Sequence, residues 1–138
     1  MVKYLLDSDI AIAILRDKKD RTGLRQKVLS VGIDNCFISE ISLAELSSGA
    51  HKMASERGLH EVEFLKTIFG IIPFGGDKGA SADVFGSTKA LLESIGKPIG
   101  DMDLLIGSTA VASGLTLVTH NTRHFSRIPK INLEDWLR

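Results

Sequence analysis

Cysteine is nearly absent from this chain of 138 residues: Cys36 is the only one. An internal disulfide is therefore impossible, and so is a structural zinc site built on several thiolates; the usage fits a reducing compartment. Long apolar runs are missing too. No stretch approaches the roughly 20 residues that cross a bilayer. The first residues lack a basic region leading into a plain apolar segment and a small-residue cleavage site, so we expect no signal peptide and a cytoplasmic protein without membrane attachment. Nor is there an excess of positive charge, since 17 Lys and Arg face 17 Asp and Glu. Proteins that gather polyanions by bulk charge are usually basic, so any nucleic-acid contact has to come from local patches. Two are candidates: Arg16-Asp17-Lys18-Lys19-Asp20-Arg21 with Arg25 and Lys27, and the group Arg123, His124, Arg127 and Lys130. Both are equally explained as solvated surface. Linkers, repeats and low-complexity tracts are lacking, and GKP at 96–98 lacks the upstream Gly and the Ser/Thr of a phosphate-binding loop.

What is present suits one compact domain over 1–138, with 43% hydrophobic residues to fill a core. Apolar VKYLL at 2–6 reads as a short buried strand, after which Ser8 or Asp9 can cap a helix through Ile10–Leu15. A helix follows over about 22–29, a strand at 35–38, and a helix capped by Ser39 to about Met53. Leu59, Val62, Leu65 and Phe69 have helical spacing. A strand at 71–74 closes on Gly75-Gly76, and a helix spans about 79–95. Gly96-Lys97-Pro98 breaks it before a helix from Asp101 to Gly114. LTLVT at 115–119 is a strand, and 131–136 closes the domain, with Phe125 and Trp136 packing that last segment on the core. Alternation of strands and helices implies an α/β fold, a sandwich with a mostly parallel sheet. Active sites of open parallel sheets lie at the carboxyl ends of the strands. LLDSDI at 5–10 and THN at 119–121 occupy such ends.

Three acidic places fall near that edge. Asp7 directly follows an apolar strand, where an unpaired carboxylate is costly; with Asp9 it is also explained as an Asx-turn and a helix cap. Glu45, in ISLAEL, shares a helical face with Ile41 and Gly49 and is flanked by apolar residues. A pairing with Lys52 would explain it without function. In GDMDLLIGSTA, Asp101 reads as an N-cap and Asp103 as a first-turn acid favoured by the helix dipole. Yet Asp103, Gly107 and Ala110 form one stripe, and small residues there let the helix pack closely and turn Asp103 toward the protein. Clustered carboxylates repel one another. A hard divalent cation such as Mg²⁺ or Mn²⁺ removes that conflict by taking oxygen ligands while keeping waters. Such an ion can activate water and offset charge on phosphoryl oxygens. His120 and His124, at i and i+4, lack further ligands for zinc and are expected near phosphate or at the surface. Asp77, Asp83, Glu61, Glu63 and Glu93 read as solvated helix faces.

These pieces resemble the PIN-domain endoribonucleases, and among them the VapC-type toxins of toxin–antitoxin pairs. LLDSDI, ISLAEL, KPIGDMDLLIGSTA, LVTHNTRHFSRI and a closing LEDW occur in the family's order over nearly the whole chain. The resemblance implies a PIN-like three-layer α/β/α sandwich and an endoribonuclease dependent on Mg²⁺ or Mn²⁺. It implies Asp7, Glu45 and Asp103 as catalytic acids and metal ligands, with Asp101 secondary. Where many of the wider PIN group carry a further Asp, this chain has Asn121, which could hold a water or the substrate. Ser8, Thr119 and Arg123 would support the acids or the RNA. The resemblance also implies a homodimer, an RNA substrate and a cognate VapB-type antitoxin.

Other readings remain open from the residues alone. LLDSDI fits the nucleophile motif of haloacid-dehalogenase-like phosphatases, with Asp7 as nucleophile and Asp9 as acid/base; their final acidic motif should follow an apolar strand, but GDMD follows GKPIG. A phospho-receiver module would need an acceptor Asp after a central strand, where this chain has Ser39 or Phe74-Gly75. A non-catalytic RNA- or partner-binding PIN domain would not need the retained acids.

Overall fold

Leu5 and Leu6 are neighbours in sequence, wholly buried, and on opposite faces of one sheet. That alternation follows from the pleat of a strand. It divides the molecule into two cores, as a computed structural model describing residues 1–137 makes plain. Strand β1 (Tyr4–Leu6) is central and runs parallel to β2 (Cys36–Ser39) on one side and β4 (Thr116–Val118) on the other. Outside them lie β3 (Gly70–Ile72) and β5 (Asn132–Glu134), giving the order β3-β2-β1-β4-β5 with every pairing parallel. Leu5 stands opposite Phe37 and Leu117, and Leu6 opposite Ile38 and Val118.

The Leu6 face is covered by α1 (Ser8–Arg16), α2 (Leu24–Val31), α3 (Glu40–Lys52) and α4 (Glu56–Ile68). Ile10 and Ile14 of α1, Leu24 and Val28 of α2, and Val62 and Leu65 of α4 recur at helical spacing and are buried there. The Leu5 face is covered by α5 (Ala80–Ser94), α6 (Asp101–Ser113) and the single turn α7 (Thr122–Phe125). On α6 a Cβ added to Gly107 would stand 2.3 Å from Ile128 Cδ1, so a larger residue there requires the Ile128 side chain to move. The result is the expected α/β/α sandwich, with a wholly parallel sheet.

Several boundaries differ from the sequence reading for local reasons. Asp7, not Ser8 or Asp9, is the N-cap of α1, and Gly100, not Asp101, precedes α6 without a side-chain cap. Ser55 caps α4 through Gly58 N, so that helix begins three residues before Leu59. Strand β3 starts at Gly70, where a Cβ would strike the Phe37 ring. Phe125 is fully buried, and Trp136 packs edge-on against Tyr4 at 5.3 Å, so both anchor the final segment as expected.

Two acids read as solvated are structural. Asp77 accepts hydrogen bonds from Ser81 N and Oγ at the start of α5. Glu61 on α4 is mostly buried and takes both Nε and Nη2 of Arg16 from α1, at 3.0 and 2.9 Å. No described helix is long and apolar enough to cross a membrane.

Candidate active site

Asp7 is the last residue of β1 to pair and the first to cap. Its N–H donates to Val118 O at 2.9 Å, continuing the β1–β4 ladder, while its carbonyl accepts from Ala11 N as α1 begins. Beside it, Thr119 follows β4 and donates its own N–H to Glu134 O. The chain builds outward from β1 to β3 on one side and returns at β4 on the other. Asp7 and Thr119 therefore meet at the switch point of the sheet, the crevice where ligands of open parallel folds bind.

The Asp7 carboxylate is buried and held at both oxygens. Oδ1 accepts from Ser8 N and Oδ2 from Thr119 Oγ1, each at 2.8 Å. Thr119 Oγ1 is fixed in turn by Asn121 N at 3.0 Å. These hydrogen bonds favour the charged form, but burial outweighs them, and Asp103 and Asp9 add repulsion, so the Asp7 pKa is pushed up to about 6.

Glu45 reaches the same place from α3, which Ser39 caps by accepting from Ile41 N. Its Oε1 accepts from Ser8 Oγ at 2.7 Å, so Ser8 touches Asp7 through its backbone and Glu45 through its side chain. The proposed partner Lys52 is not what holds Glu45. Asp103, half-buried in the first turn of α6, has its pKa raised by burial and then by Glu45 and Asp9, with His124 acting against them. Four carboxylates from β1–α1, α3 and α6 thus lie within electrostatic reach around one crevice. Asp9 is the one that sequence reasoning left as a cap. Its signal was its position two residues after Asp7, where the first turn of a helix turns an acid toward the same opening.

The remaining candidates divide. Asp101 is exposed and ion-paired with Lys89 of α5 at 2.9 Å, and it does not bear on Asp7 or Asp103. Asn121 Nδ2 lies 2.9 Å from His124 Nδ1, joining the loop after β4 to α7. Arg123 is exposed on α7. His120 faces away, paired with Asp135 at 3.1 Å. Among the described residues, no three His, Cys, Asp or Glu side chains converge closely enough to form a metal cage by themselves. An open groove of about 590 Å³ leads from Asp9 and Glu45 past Gly49 and Gly58 to Arg16 and Glu61.

The chain as a whole has counterparts among known proteins. A family model for the PIN domain matches residues 4–131. The chain belongs to the PIN-domain family. This PIN domain is 34% identical over 137 residues to the tRNA(fMet)-specific endonuclease VapC of Salmonella typhimurium, covering 99% of each chain. It is 33% identical over 134 residues to ribonuclease VapC2 of Rickettsia felis, covering 96% of this chain and 97% of that one. Among solved structures it resembles the DNA-bound VapBC of Salmonella typhimurium, with a TM-score of 0.85 at 34% identity over 99% of both chains. VapBC-1 of nontypeable Haemophilus influenzae gives 0.82 at 28% identity over the full length of both. The phosphatase and phospho-receiver readings of LLDSDI fall with this family assignment.

Proposed function

We propose that this PIN domain is a Mg²⁺-dependent endoribonuclease (Mn²⁺ serving as well), hydrolysing RNA phosphodiester bonds as the toxin of a VapBC-type pair. The observation that carries the reading is the buried Asp7 carboxylate, repelled by Asp103 and Asp9 and, among the described residues, lacking a cationic partner of its own. A hard cation relieves that repulsion, and an all-oxygen donor set suits it. Mg²⁺ keeps several waters and shares a substrate phosphate, so it does not need a closed protein cage. Asp7, Asp103 and Glu45 would hold it. When bound, the ion supplies Lewis acidity toward water and the phosphoryl oxygens.

The chain's own residues prepare that site. Thr119 Oγ1 and Ser8 N keep Asp7 oriented and favour its ionised form against burial. Ser8 Oγ sets the rotamer of Glu45. Asn121 rigidifies Thr119 through its N–H and occupies the position where an additional acid would add more repulsion. The names of the full-length relatives support an RNA substrate and make tRNA(fMet) the first one to try. The VapBC complexes support a VapB-type antitoxin as partner, and we propose a homodimer acting in the cytoplasm.

The test is incubation of the purified chain with total RNA in Mg²⁺, and separately in chelator, followed by mapping of the new ends. Discrete cuts that vanish with chelator are expected. Cleavage that persists in chelator, or no cleavage in Mg²⁺ or Mn²⁺, overturns the reading.

A further inference from the structure

The loop after β4 makes two connections, and both pass through Asn121. Its N–H donates to Thr119 Oγ1 at 3.0 Å, and Thr119 Oγ1 donates to Asp7 Oδ2. Its side chain makes a separate contact: Nδ2 lies 2.9 Å from Nδ1 of His124, the third residue of α7. Asn121 stands at the N-cap of that turn, where an Asn side chain usually accepts from a backbone N–H of the first turn. Here it makes no such bond, and the amide is used on the imidazole instead. One residue therefore sets both the support of Asp7 and the ring of His124.

That contact fixes the tautomer. An amide nitrogen carries only donors, so Nδ1 is the accepting nitrogen and the ring proton sits on Nε2. Among the described residues, no group accepts from Nε2. His124 is exposed, while Phe125 beside it is fully buried. Phe125 Cδ1 lies 3.5 Å from where a Cβ of Gly107 would stand, and Gly107 is one turn of α6 from Asp103. The buried ring thus pins α7 to the stretch of α6 that carries Asp103, and His124 is close enough to act on that acid electrostatically. His120, at the start of the same loop, is paired with Asp135 instead.

A bond from Nε2 to one of the acids would explain the ring as structure, but neither Asp103 nor Asp9 accepts from it. Metal ligation needs a lone pair, and a protonated Nε2 has none to give. A neutral ring also adds no full charge that would repel a cation among the acids. What such a donor suits is the anion that a nuclease brings to this place. We propose that His124 is a catalytic residue of this chain, its Nε2–H donating to a non-bridging oxygen of the scissile phosphate. The inference rests on the ribonuclease reading above and adds to it a donor supplied by neither acid nor metal. A preset donor aimed at oxygens whose charge grows during the reaction stabilises the transition state more than the bound substrate.

Two measurements on the full chain test this. Nuclear magnetic resonance of protein labelled with nitrogen-15 histidine, at about pH 8 where an ordinary imidazole is neutral, should show His124 as the Nε2–H tautomer. Adding Ca²⁺ and saturating oligouridylate should move its Nε2 resonance and leave those of His120 in place. An Nδ1–H tautomer, or a resonance that the RNA does not move, overturns the proposal. In cleavage, His124→Ala should lower kcat about 100-fold with KM little changed, the scale of losing one donor to a developing oxyanion. Its affinity for Mn²⁺ should match the wild type. His124→Gln, whose amide can donate from nearly the same place, should recover about tenfold of the loss. Weakened Mn²⁺ binding in His124→Ala would make the residue a metal ligand, and a glutamine variant no better than alanine would make it a proton-transfer group; either result overturns the hydrogen-bond role. If His124→Ala cuts as the wild type does, the proposal falls and the ribonuclease reading stands. A wild-type chain that shows the resonance shift yet cuts no RNA would overturn the ribonuclease reading and leave His124 as a phosphate contact.

Discussion

Thr119 Oγ1 donates to Asp7 Oδ2 at 2.8 Å across 112 positions of sequence, and this bond opposes the effect of burial on the acid. Thr119→Val removes the donor while keeping the shape. The Asp7 pKa, already up to about 6, should rise further, and the acidic limb of the cleavage–pH profile should move to higher pH. Thr119→Ser should restore it. The cost in stability is about 1 kcal/mol, so a shifted limb with little change in melting temperature distinguishes this role from a purely structural one.

Asp7→Asn should abolish cleavage and stabilise the metal-free protein at neutral pH. The folded pKa of Asp7 lies above the ordinary 3.8, so the fold favours the neutral acid. That contribution is fully present below about pH 4 and is lost as the pH rises through about 6. The wild type in chelator should therefore lose stability across this window, and the variant should lose less. At pH 7.5 the variant should be more stable by about 1–2 kcal/mol, after allowing for one weakened hydrogen bond. Urea titrations at pH 4 and 7.5 measure the difference. An equal response to pH in the two proteins would contradict the burial argument.

Ser8 joins two of the acids, so its loss should be felt in cation affinity more than in folding. Ser8→Ala is expected to raise the Mg²⁺ concentration for half-maximal cleavage by roughly tenfold, the scale at which residues supporting metal ligands act. Ser8→Thr should retain most of the affinity. Isothermal titration with Mn²⁺ gives the same ranking without turnover.

Gly107→Ala tests the packing that brings α6 onto the sheet. The added methyl would lie 2.3 Å from Ile128 Cδ1, and overpacking of this kind costs about 1–3 kcal/mol. Ile128→Val deletes the opposing methyl, so the double variant should be less destabilised than the two single costs combined. Additive losses in chemical denaturation would mean that another contact sets the limit.

The layer order, the parallel sheet and most helices were legible because long apolar stretches carry their period with them. Ile10, Ile14, Val62 and Leu65 announce buried faces without help from the rest of the chain. The single turn at Thr122–Phe125 and the edge strand at Asn132–Glu134 were not. Each is too short to show a period, and pairing to β4 or burial of Phe125 alone defines them. Asp7, Glu45 and Asp103 could be picked out because acids next to apolar runs need a reason. Asp101 shares the first turn of α6 with Asp103, but it is exposed and paired with Lys89 from α5, whereas Asp103 is half-buried. Glu61 looked solvated because its partner Arg16 is 45 residues away, and Asp9 looked like a cap because Asp103, which it also repels, lies on α6.

The central place of β1 has a temporal consequence. This strand is made first, yet one of its two partners, β4, ends at Val118, near the end of the chain. A growing polypeptide can pair β1 with β2 and β2 with β3, but Thr119 follows β4, so until that strand emerges Asp7 has no Thr119 beside it. The bond that holds Asp7 Oδ2 therefore forms late, once 119 of the 138 residues have been made.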